Sequence, residues 1–329
     1  MDDEHVLVTG GTGCIGSWVV RNLLQEGVPV VVLTAGRNFR NLRLILTDSE
    51  FDRITFVTAD ISDIEALETA SRRHGIDRII HLAGLQLPFC AADPARGAIV
   101  NVVGTVTVFE VAKRLGIGRV VYASSAAVYG PRDRYEETTL APDAPFWPTS
   151  HYGVYKIANE QGAGVYWHND GVSSIGLRPH TVYGPGRDRG MTSKPTLAMI
   201  AAAAGRPYRV GFGGRYQFQY ADDAAKAFLR AARAPFEGAA AFNIGGITHG
   251  VDEIVERIGE YEPGARGTIT AEEGVLSLPE AFDGRPMVEA LGAYEETPLD
   301  EGVRRTIDCY RAALRSGIVD DAYLDRVLG

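Results

Sequence analysis

The sequence predicts a doubly wound α/β fold, a parallel sheet with helices on both faces and a smaller C-terminal lobe. Three observations predict it. Apolar runs suited to buried strands alternate with helical periodicity through the N-terminal half, which calls for a parallel sheet. The first run, His5-Val-Leu-Val-Thr9, passes straight into glycines at Gly10, Gly13 and Gly16 that open a helix. Past Pro179 the chain turns to short segments broken by proline and glycine, with no low-complexity tract and no internal repeat.

Residues 6–9 read as the first strand and 15–25 as its helix, closed by Gly27. Val-Pro-Val-Val-Val-Leu over 28–33 is the second strand. Residues 54–57 are the third, running on to Asp60, with a helix over 64–74. The fourth strand spans 77–82 and is followed by a helix over 93–115. The fifth spans 119–123, and helix 152–168 with strand 173–177 completes six parallel strands. Residues 1–180, with segments returning near 217–245, are expected to form a dinucleotide-binding domain, and 181–329 mostly a small substrate-binding lobe. Ligands of open parallel sheets bind at the carboxyl ends of the strands, so substrate is expected between sheet and lobe. A last helix, from Glu301 to about Arg315, alternates apolar and charged residues at helical spacing and closes the lobe.

With 329 residues the chain can bury a large core. Its net charge of −9 and the lack of a basic run argue against nucleic acid or an anionic membrane as partner. Met1-Asp-Asp-Glu-His5 has no cationic segment leading into an apolar one, so no signal peptide is expected. No apolar run is expected to approach the length of a membrane span. Cys14, Cys90 and Cys309 are odd in number and widely spaced, which fits a reducing cytoplasm better than a disulfide framework or a zinc site.

The chemistry sits in Tyr152-Gly-Val-Tyr-Lys156. Tyr and Lys four apart share one helix face, and an ammonium beside a phenol favours the anionic form. The phenol is then expected to exchange protons near neutral pH, well below its ordinary value of about 10. Beside a nicotinamide such a pair supports hydride transfer at a carbinol carbon. The upstream glycines supply the dinucleotide, because they let a pyrophosphate approach a helix N-terminus. Gly10, Gly13, Cys14, Ile15 and Gly16 are therefore expected to touch the cofactor, the alternative being a merely structural turn.

Other residues extend that site. Asp60 ends the third strand, where with Ile61 beside it a carboxylate can accept the adenine amino group, or instead cap the helix beginning at Ser62 or Asp63. His81-Leu82-Ala83-Gly84 ends the fourth strand; the small residues let backbone face the cofactor, and His81 reads as structural. Asn101 and Gly104 lie inside a helix although both are poor helix formers. That cost points to tertiary roles: Asn101 bridging strands near the active site, Gly104 permitting close packing. Ser125, at the end of the fifth strand, is positioned to hydrogen-bond the reacting oxygen with Ser124 in support, unless both are turn serines. Tyr155 reads as packing and His151 as a helix-starting residue. Pro179 and His180 follow Arg178 where the chain passes near the nicotinamide, and His180 either touches cofactor or packs.

With these motifs in this order the chain resembles the extended short-chain dehydrogenases/reductases, the family of NAD(P)-dependent sugar epimerases and dehydratases. The likeness runs from the glycine fingerprint through Arg178-Pro179 and Tyr183-Gly-Pro185 to Tyr220-Ala-Asp-Asp223. It implies a Rossmann domain and a catalytic triad of Ser125, Tyr152 and Lys156. Tyr152 would be the general acid/base, Lys156 would hold the nicotinamide ribose and lower the phenol's pKa, and Ser125 would orient the substrate oxygen. The resemblance also implies a small sugar-like substrate and a homodimer built on helices 93–115 and 152–168.

Departures from the family pattern narrow the reaction. Its dehydratases carry Asp-Glu just before Val-Tyr-Gly and its decarboxylases a Glu; Ala126-Ala127 stands here, leaving no acid/base to expel water. Many relatives grip a substrate diphosphate with the arginine of an Arg-Asp-Phe segment. Here Arg215-Tyr-Gln-Phe218 displaces the arginine by one position, which in a strand turns the side chain to the opposite face. Arg187 and Arg215 are the expected substrate contacts, with Arg189 and Arg285 as further cations, and a polyol, sugar acid or free sugar competes with a nucleotide sugar. Residues 85–90, 146–148, 181–192 and 212–216 are expected to shape the pocket. An acidic residue ending the second strand would repel a 2′-phosphate; Leu33-Thr34-Ala-Gly-Arg37-Asn38 has none. Arg37 and Arg40 are near, and a short loop bearing arginine suits that phosphate, with Thr34 a further expected cofactor contact. NADP is therefore expected over NAD, unless Arg37 is simply solvated. Three readings remain: a dehydrogenase/reductase, an epimerase of nucleotide sugars that keeps its cofactor, and a non-catalytic dinucleotide sensor. The intact Tyr/Lys pair disfavours the sensor, and the displaced arginine favours the dehydrogenase.

Overall fold

The computed structural model describes residues 4–329. Strand β1 (Val6–Thr9) is buried along its whole length, as a central strand of a doubly covered sheet must be. It pairs in parallel with β2 (Val30–Thr34) on one side and β4 (Arg78–His81) on the other, so that Val8 lies opposite both Val32 and Ile80. Strand β3 (Thr55–Thr58) lies outside β2, and β5 (Arg119–Ala123) and β6 (Ser174–Arg178) continue beyond β4. The period-two alternation then sorts the core: Val6 and Val8 point into one hydrophobic cluster and Leu7 into the other.

The sheet has a seventh strand beyond the six expected. β7 (Ala239–Asn243) pairs in parallel with β6 at the edge, giving the order β3-β2-β1-β4-β5-β6-β7. Its Ala-Ala-Ala-Phe-Asn has neither the β-branched residues nor the alternation that marks a strand, so neighbouring β6 imposes the conformation.

Helix α1 (Cys14–Gln25) leaves the β1 glycines, and α2 (Ile64–Arg73) is capped by Asp63, whose side chain accepts from the Ala66 N–H at 3.0 Å. Helix α3 (Pro94–Leu115) contains a π-helical turn over Ile99–Val103. It corrects the expectation that no apolar run approaches a membrane span: it is 22 residues long and apolar enough to cross a bilayer by length and composition. Over half of its most apolar stretch is buried inside the fold, packed on β4, β5 and α2, which accounts for that composition. Helix α4 (His151–Asp170) carries the Tyr and Lys; Ser150 caps it, accepting from the Gly153 N–H at 3.1 Å. Gly171 ends it with φ +68°, the left-handed conformation that a Cβ disfavours.

The remaining chain forms a lobe around three strands, Thr181–Tyr183, Arg215–Tyr220 and Ile247–Gly250. Helix α5 (Ala221–Arg233) returns to pack against α1, and α6 (Leu299–Ser316) closes the lobe over the residues expected to be helical. One hydrophobic cluster runs from Val6 and Val8 through Phe228 to Ile307, so sheet and lobe share a core.

Candidate active site

The loop between β1 and α1 is shaped by what a side chain would strike. Gly10 sits at φ +71°, and a Cβ there would lie 2.5 Å from the Ala83 nitrogen. At Gly16 a Cβ would lie 2.2 Å from the Gly10 carbonyl oxygen. Gly13 occupies the N-cap position of α1, whose first turn contains no acidic residue. The unpaired N–H groups and the positive end of the helix therefore face an open groove, the arrangement an anionic diphosphate requires. The Cys14 thiol in this loop is pushed by burial up to about 12, so it stays protonated and unreactive.

Next to the groove lies a cleft of about 270 Å³ at the carboxyl ends of β1, β4 and β5. Gly10, Gly13, Cys14, Ile15, Gly16, Leu82, Gly84, Ser125, Tyr152, Lys156, Pro179, His180 and Arg187 all line it. Sequence positions far apart thus converge on one space. Gln86, Met191, Thr192 and Leu278 line it too. Leu278 lies outside every segment expected to shape the pocket. Of those segments, 85–90 and 181–192 contribute walls, whereas Phe146 packs on Tyr129, Trp147 is exposed, and Phe212 and Tyr216 belong to the core.

Within the cleft, Lys156 is buried and donates from Nζ to the Ala123 carbonyl at 2.6 Å. Its Nζ stands 5.5 Å from the centre of the Tyr152 ring. Burial lowers the Lys156 pKa to about 8, against a smaller opposing effect of the Cys90 thiol and Glu160. The Tyr152 pKa is raised by burial, against the lowering effects of the Ser125 hydroxyl and the Arg187 guanidinium. This corrects the expectation of a phenol brought down by Lys156: desolvation of the phenolate outweighs the neighbouring charges, and the ammonium is spent on the Ala123 carbonyl. Ser125 accepts from the Ala127 N–H at 3.1 Å, which fixes its turn.

Ser124 does not support Ser125 directly. It donates to Glu160, one helical turn beyond Lys156 on α4. The Glu160 carboxylate takes both Nε and Nη2 of Arg178 at 2.7 Å, and Arg178 Nη1 reaches the Tyr129 hydroxyl and the Pro142 carbonyl at 2.7 Å each. Asn101 joins the loop after β4 to α3 rather than strand to strand, donating to the carbonyls of Leu85 and Gly97 at 3.2 and 3.0 Å. Its Oδ1 is buried with no hydrogen-bond partner among the described residues. Gly104 permits the expected close packing, since a Cβ there would lie 2.7 Å from Ile61. His81 sits between the hydroxyls of Thr9 and Thr105, at 2.7 and 3.0 Å, and burial holds its pKa down at about 3, so it is a neutral structural residue. His180 lines the cleft with both ring nitrogens engaged, by Thr181 Oγ1 at 2.9 Å and the Pro279 carbonyl at 2.8 Å.

The expected adenosine contacts lie beyond the cleft. Thr34 is buried at the end of β2, donating to the Gly36 carbonyl at 3.0 Å, while Arg37 is exposed with no ion pair among the described residues. Asp60 does not cap α2; it accepts from the Ser62 N–H and hydroxyl at 3.0 and 2.7 Å and pairs with Arg96 at 2.6 Å. The Arg96 hydrogen bond holds its carboxyl down at about 2. Ala83 is fixed by its N–H to Thr9 Oγ1 at 3.3 Å. Arg215 lies outside the cleft, bound to Glu253 at 2.7 Å and the Thr248 carbonyl at 3.2 Å. Arg285 is tied to Asp283 at 2.7 Å.

The glycine cradle, the acid-free helix start and the Tyr/Lys cleft fit a nicotinamide dinucleotide. Fold and site define an enzyme of the extended short-chain dehydrogenase/reductase class. More narrowly, the chain belongs to the NAD dependent epimerase/dehydratase family, whose model matches residues 6–245. The UDP-glucose 4-epimerase of Mycolicibacterium smegmatis is 30% identical over 322 residues, covering 93% of this chain and 98% of the relative. Among solved structures, the Thermus thermophilus UDP-glucose 4-epimerase in complex with NAD matches with TM-score 0.78 at 26% identity, over 94% of this chain and 100% of that one. MoeE5 in complex with UDP-glucuronic acid and NAD matches with TM-score 0.77 at 27% identity, covering 94% and 100%.

Proposed function

We propose that the chain catalyses oxidation and reduction at one carbinol carbon of a sugar-like substrate, with Tyr152 as general acid/base. The observation that carries this reading is the convergence of Ser125, Tyr152 and Lys156 on the same cleft as the glycine cradle. A nicotinamide dinucleotide held by the glycine cradle would supply the hydride acceptor and donor. Tyr152 takes the hydroxyl proton as the carbinol becomes a carbonyl and gives it back on reduction. Ser125, in the same cleft and opposing the rise of the Tyr152 pKa, hydrogen-bonds the same substrate oxygen and orients it. Lys156, in the cleft lining, would hold the nicotinamide ribose through its ammonium, which in this structure donates to the Ala123 carbonyl. Gly10, Gly13, Cys14, Ile15, Gly16, Leu82, Ala83, Gly84, Asn101, Pro179 and His180 are the nearby cofactor contacts, with Thr34, Arg37, Asp60 and Ile61 at the adenosine end. Ala126 and Ala127 line the cleft without a carboxylate, so no group is positioned to expel water.

The specific form we favour is 4-epimerisation of a sugar carried on a nucleotide, supported by the activity named for the Mycolicibacterium smegmatis relative. A dehydrogenase/reductase is the second reading, favoured by the pairing of Arg215 with Glu253 and Arg285 with Asp283, which takes two candidate diphosphate grips away. NAD is supported by the Thermus thermophilus and MoeE5 complexes, and the exposed Arg37 supports acceptance of NADP. The chain is divided into a dinucleotide-binding part over 1–180 with segments returning near 217–245 and a substrate lobe mostly over 181–329, a reading supported by β7 pairing with β6 and α5 packing on α1. A cytoplasmic homodimer completes the proposal. Ile99, Val103 and Val106, on one face of α3, are exposed, as are Val154 and Val165 on α4.

The test is to denature the purified protein and identify any released nicotinamide nucleotide. A stoichiometric, retained dinucleotide supports the epimerase, and an exchangeable one the dehydrogenase. A protein that neither holds nor takes up NAD(H) or NADP(H) overturns the whole reading.

A further inference from the structure

Arg187 is the guanidinium of the cleft, beside the Lys156 ammonium. It lies in the loop after the Thr181–Tyr183 strand, and that loop is pinned on three sides. The Trp18 indole donates to the Pro185 carbonyl at 3.1 Å, the Gly186 N–H donates to the Tyr310 hydroxyl at 3.1 Å, and the Arg187 N–H closes a turn on the Gly184 carbonyl at 3.1 Å. The guanidinium is half-buried and near enough to Tyr152 to bias the phenol toward its anion. Its one side-chain hydrogen bond among the described residues is from Nη2 to the neutral Thr192 hydroxyl at 3.1 Å, and its Nε is buried without a partner. No carboxylate pairs with it there. The neighbouring Asp188 turns instead to the Tyr323 hydroxyl at 3.2 Å.

Gln86 faces the same place. Its Oε1 is buried without a partner, and a Cβ at Gly190 would stand 2.8 Å from that oxygen and 3.3 Å from Arg187 Nη2. Gly190, at φ +95°, therefore leaves a small recess between a guanidinium and an amide. A buried donor left without a partner, as Arg187 Nε is, is costly unless a ligand completes it. Three other arginines of the lobe contrast with it: Arg209, Arg215 and Arg285 are each paired with a carboxylate of their own. Arg187 thus places a positive charge without a carboxylate partner at the reacting end of the cleft.

We propose that Arg187 and Gln86 form a carboxylate seat beside the reacting carbon, so that the substrate's sugar ring is a uronic acid, whether free or carried on a nucleotide. The seat rests on the reading of Tyr152 as the acid/base of this cleft. Arg187 takes the carboxylate through two N–H groups, geometry a lysine cannot reproduce, and Gln86 Oε1 accepts from an adjacent ring hydroxyl.

The test uses the dinucleotide-loaded full chain and measures binding of UDP-glucuronate, UDP-glucose, free glucuronate and free glucose by calorimetry. The expected result is at least a tenfold preference for each acid over its neutral partner. Arg187→Met should abolish the preference and Arg187→Lys should reduce it, while Arg189→Ala, at an exposed position outside the cleft lining, should keep it. Circular dichroism and melting of each variant separate lost folding from lost recognition, and Gln86→Ala gives a milder second perturbation expected to weaken the acids more than the neutral sugars. Equal affinity for acid and neutral forms in the unmodified chain overturns the proposal. So does an Arg187→Met variant that weakens NADH and NADPH together while leaving the acid preference intact, because the charge then serves the cofactor diphosphate. Dependence of UDP-glucose and UDP binding on Arg187 to the same degree as UDP-glucuronate also overturns it, because the charge then serves the substrate diphosphate. Failure of the Tyr152 reading would appear separately, as a Tyr152→Phe variant that turns over at the normal rate.

Discussion

Glu160 and Arg178 form a two-pronged buried ion pair, Nε and Nη2 each 2.7 Å from a carboxylate oxygen, behind the wall that carries Ser125 and Lys156. The pair ties α4 to β6, and through Ser124 it also holds the end of β5. Removing one member leaves a charge buried and uncompensated, which costs about 3–5 kcal/mol. Glu160→Gln should therefore lower the unfolding free energy in urea by roughly 3 kcal/mol. The double variant Glu160→Gln/Arg178→Met should recover part of that loss, and a double variant as unstable as the sum of both singles would refute the coupling.

Tyr152 is the only phenol lining the cleft among the described residues. Tyr152→Phe keeps the ring and its packing but removes the proton. We expect kcat to fall by about 10²–10⁴, the range for a general acid/base, with dinucleotide affinity little changed. Rates with a matched substrate and a dinucleotide titration check the two halves. A variant that also loses the dinucleotide would assign Tyr152 to binding.

The glycine loop makes a steric prediction. A methyl at Gly16 would lie 2.2 Å from the Gly10 carbonyl oxygen, which is backbone and has little room to yield. Gly16→Ala should cost about 1–3 kcal/mol of stability, as overpacking does, and should widen the cradle enough to abolish dinucleotide binding. Gly36→Ala is the control, since a Cβ there meets nothing within 4 Å.

What could be read in the chain was what local sterics dictate. Gly10 is required by its own left-handed backbone and Gly16 by a contact within the loop, and Tyr152 and Lys156 share a face because a helix has one period. The one-position shift of Arg215 was legible for the same reason, and its side chain is exposed and paired with Glu253. Glu160 escaped notice although it stands at the same four-residue spacing beyond Lys156; its meaning depends on Arg178, which only the fold brings to it. Likewise the Tyr152 pKa was misjudged because spacing reports a neighbouring ammonium and says nothing of desolvation. The strand Ala239–Asn243 had no pattern to read, since β6 supplies its pairing.

Lys156 gives a pH prediction whose sign follows from its burial. Its pKa falls from 10.5 to about 8 on folding, so between those values the unfolded chain binds more protons than the folded one. Stability from this group is therefore lowest below about pH 8 and rises as pH climbs toward 10.5. Urea midpoints for the unmodified chain and Lys156→Met, compared at pH 7 and pH 9.5, isolate it from the other titrating groups. The difference in stability between the two proteins should shift in favour of the unmodified chain at the higher pH. An unchanged difference would mean that Lys156 titrates normally.

Arg37 tests the cofactor choice. It is exposed just past β2, and the carboxylate after the neighbouring strand β3, Asp60, is already engaged by Arg96 and Ser62. Nothing acidic in 33–38 therefore opposes a 2′-phosphate, and a guanidinium is available to receive it. Losing one charge-assisted hydrogen bond costs about 1.5–3 kcal/mol, so Arg37→Ala should weaken NADPH by about tenfold or more and leave NADH nearly unchanged. Fluorescence titration with each reduced dinucleotide decides it. Equal losses for both would make Arg37 a general contact, and no loss for either would make it a solvated surface residue and leave NAD as the natural cofactor.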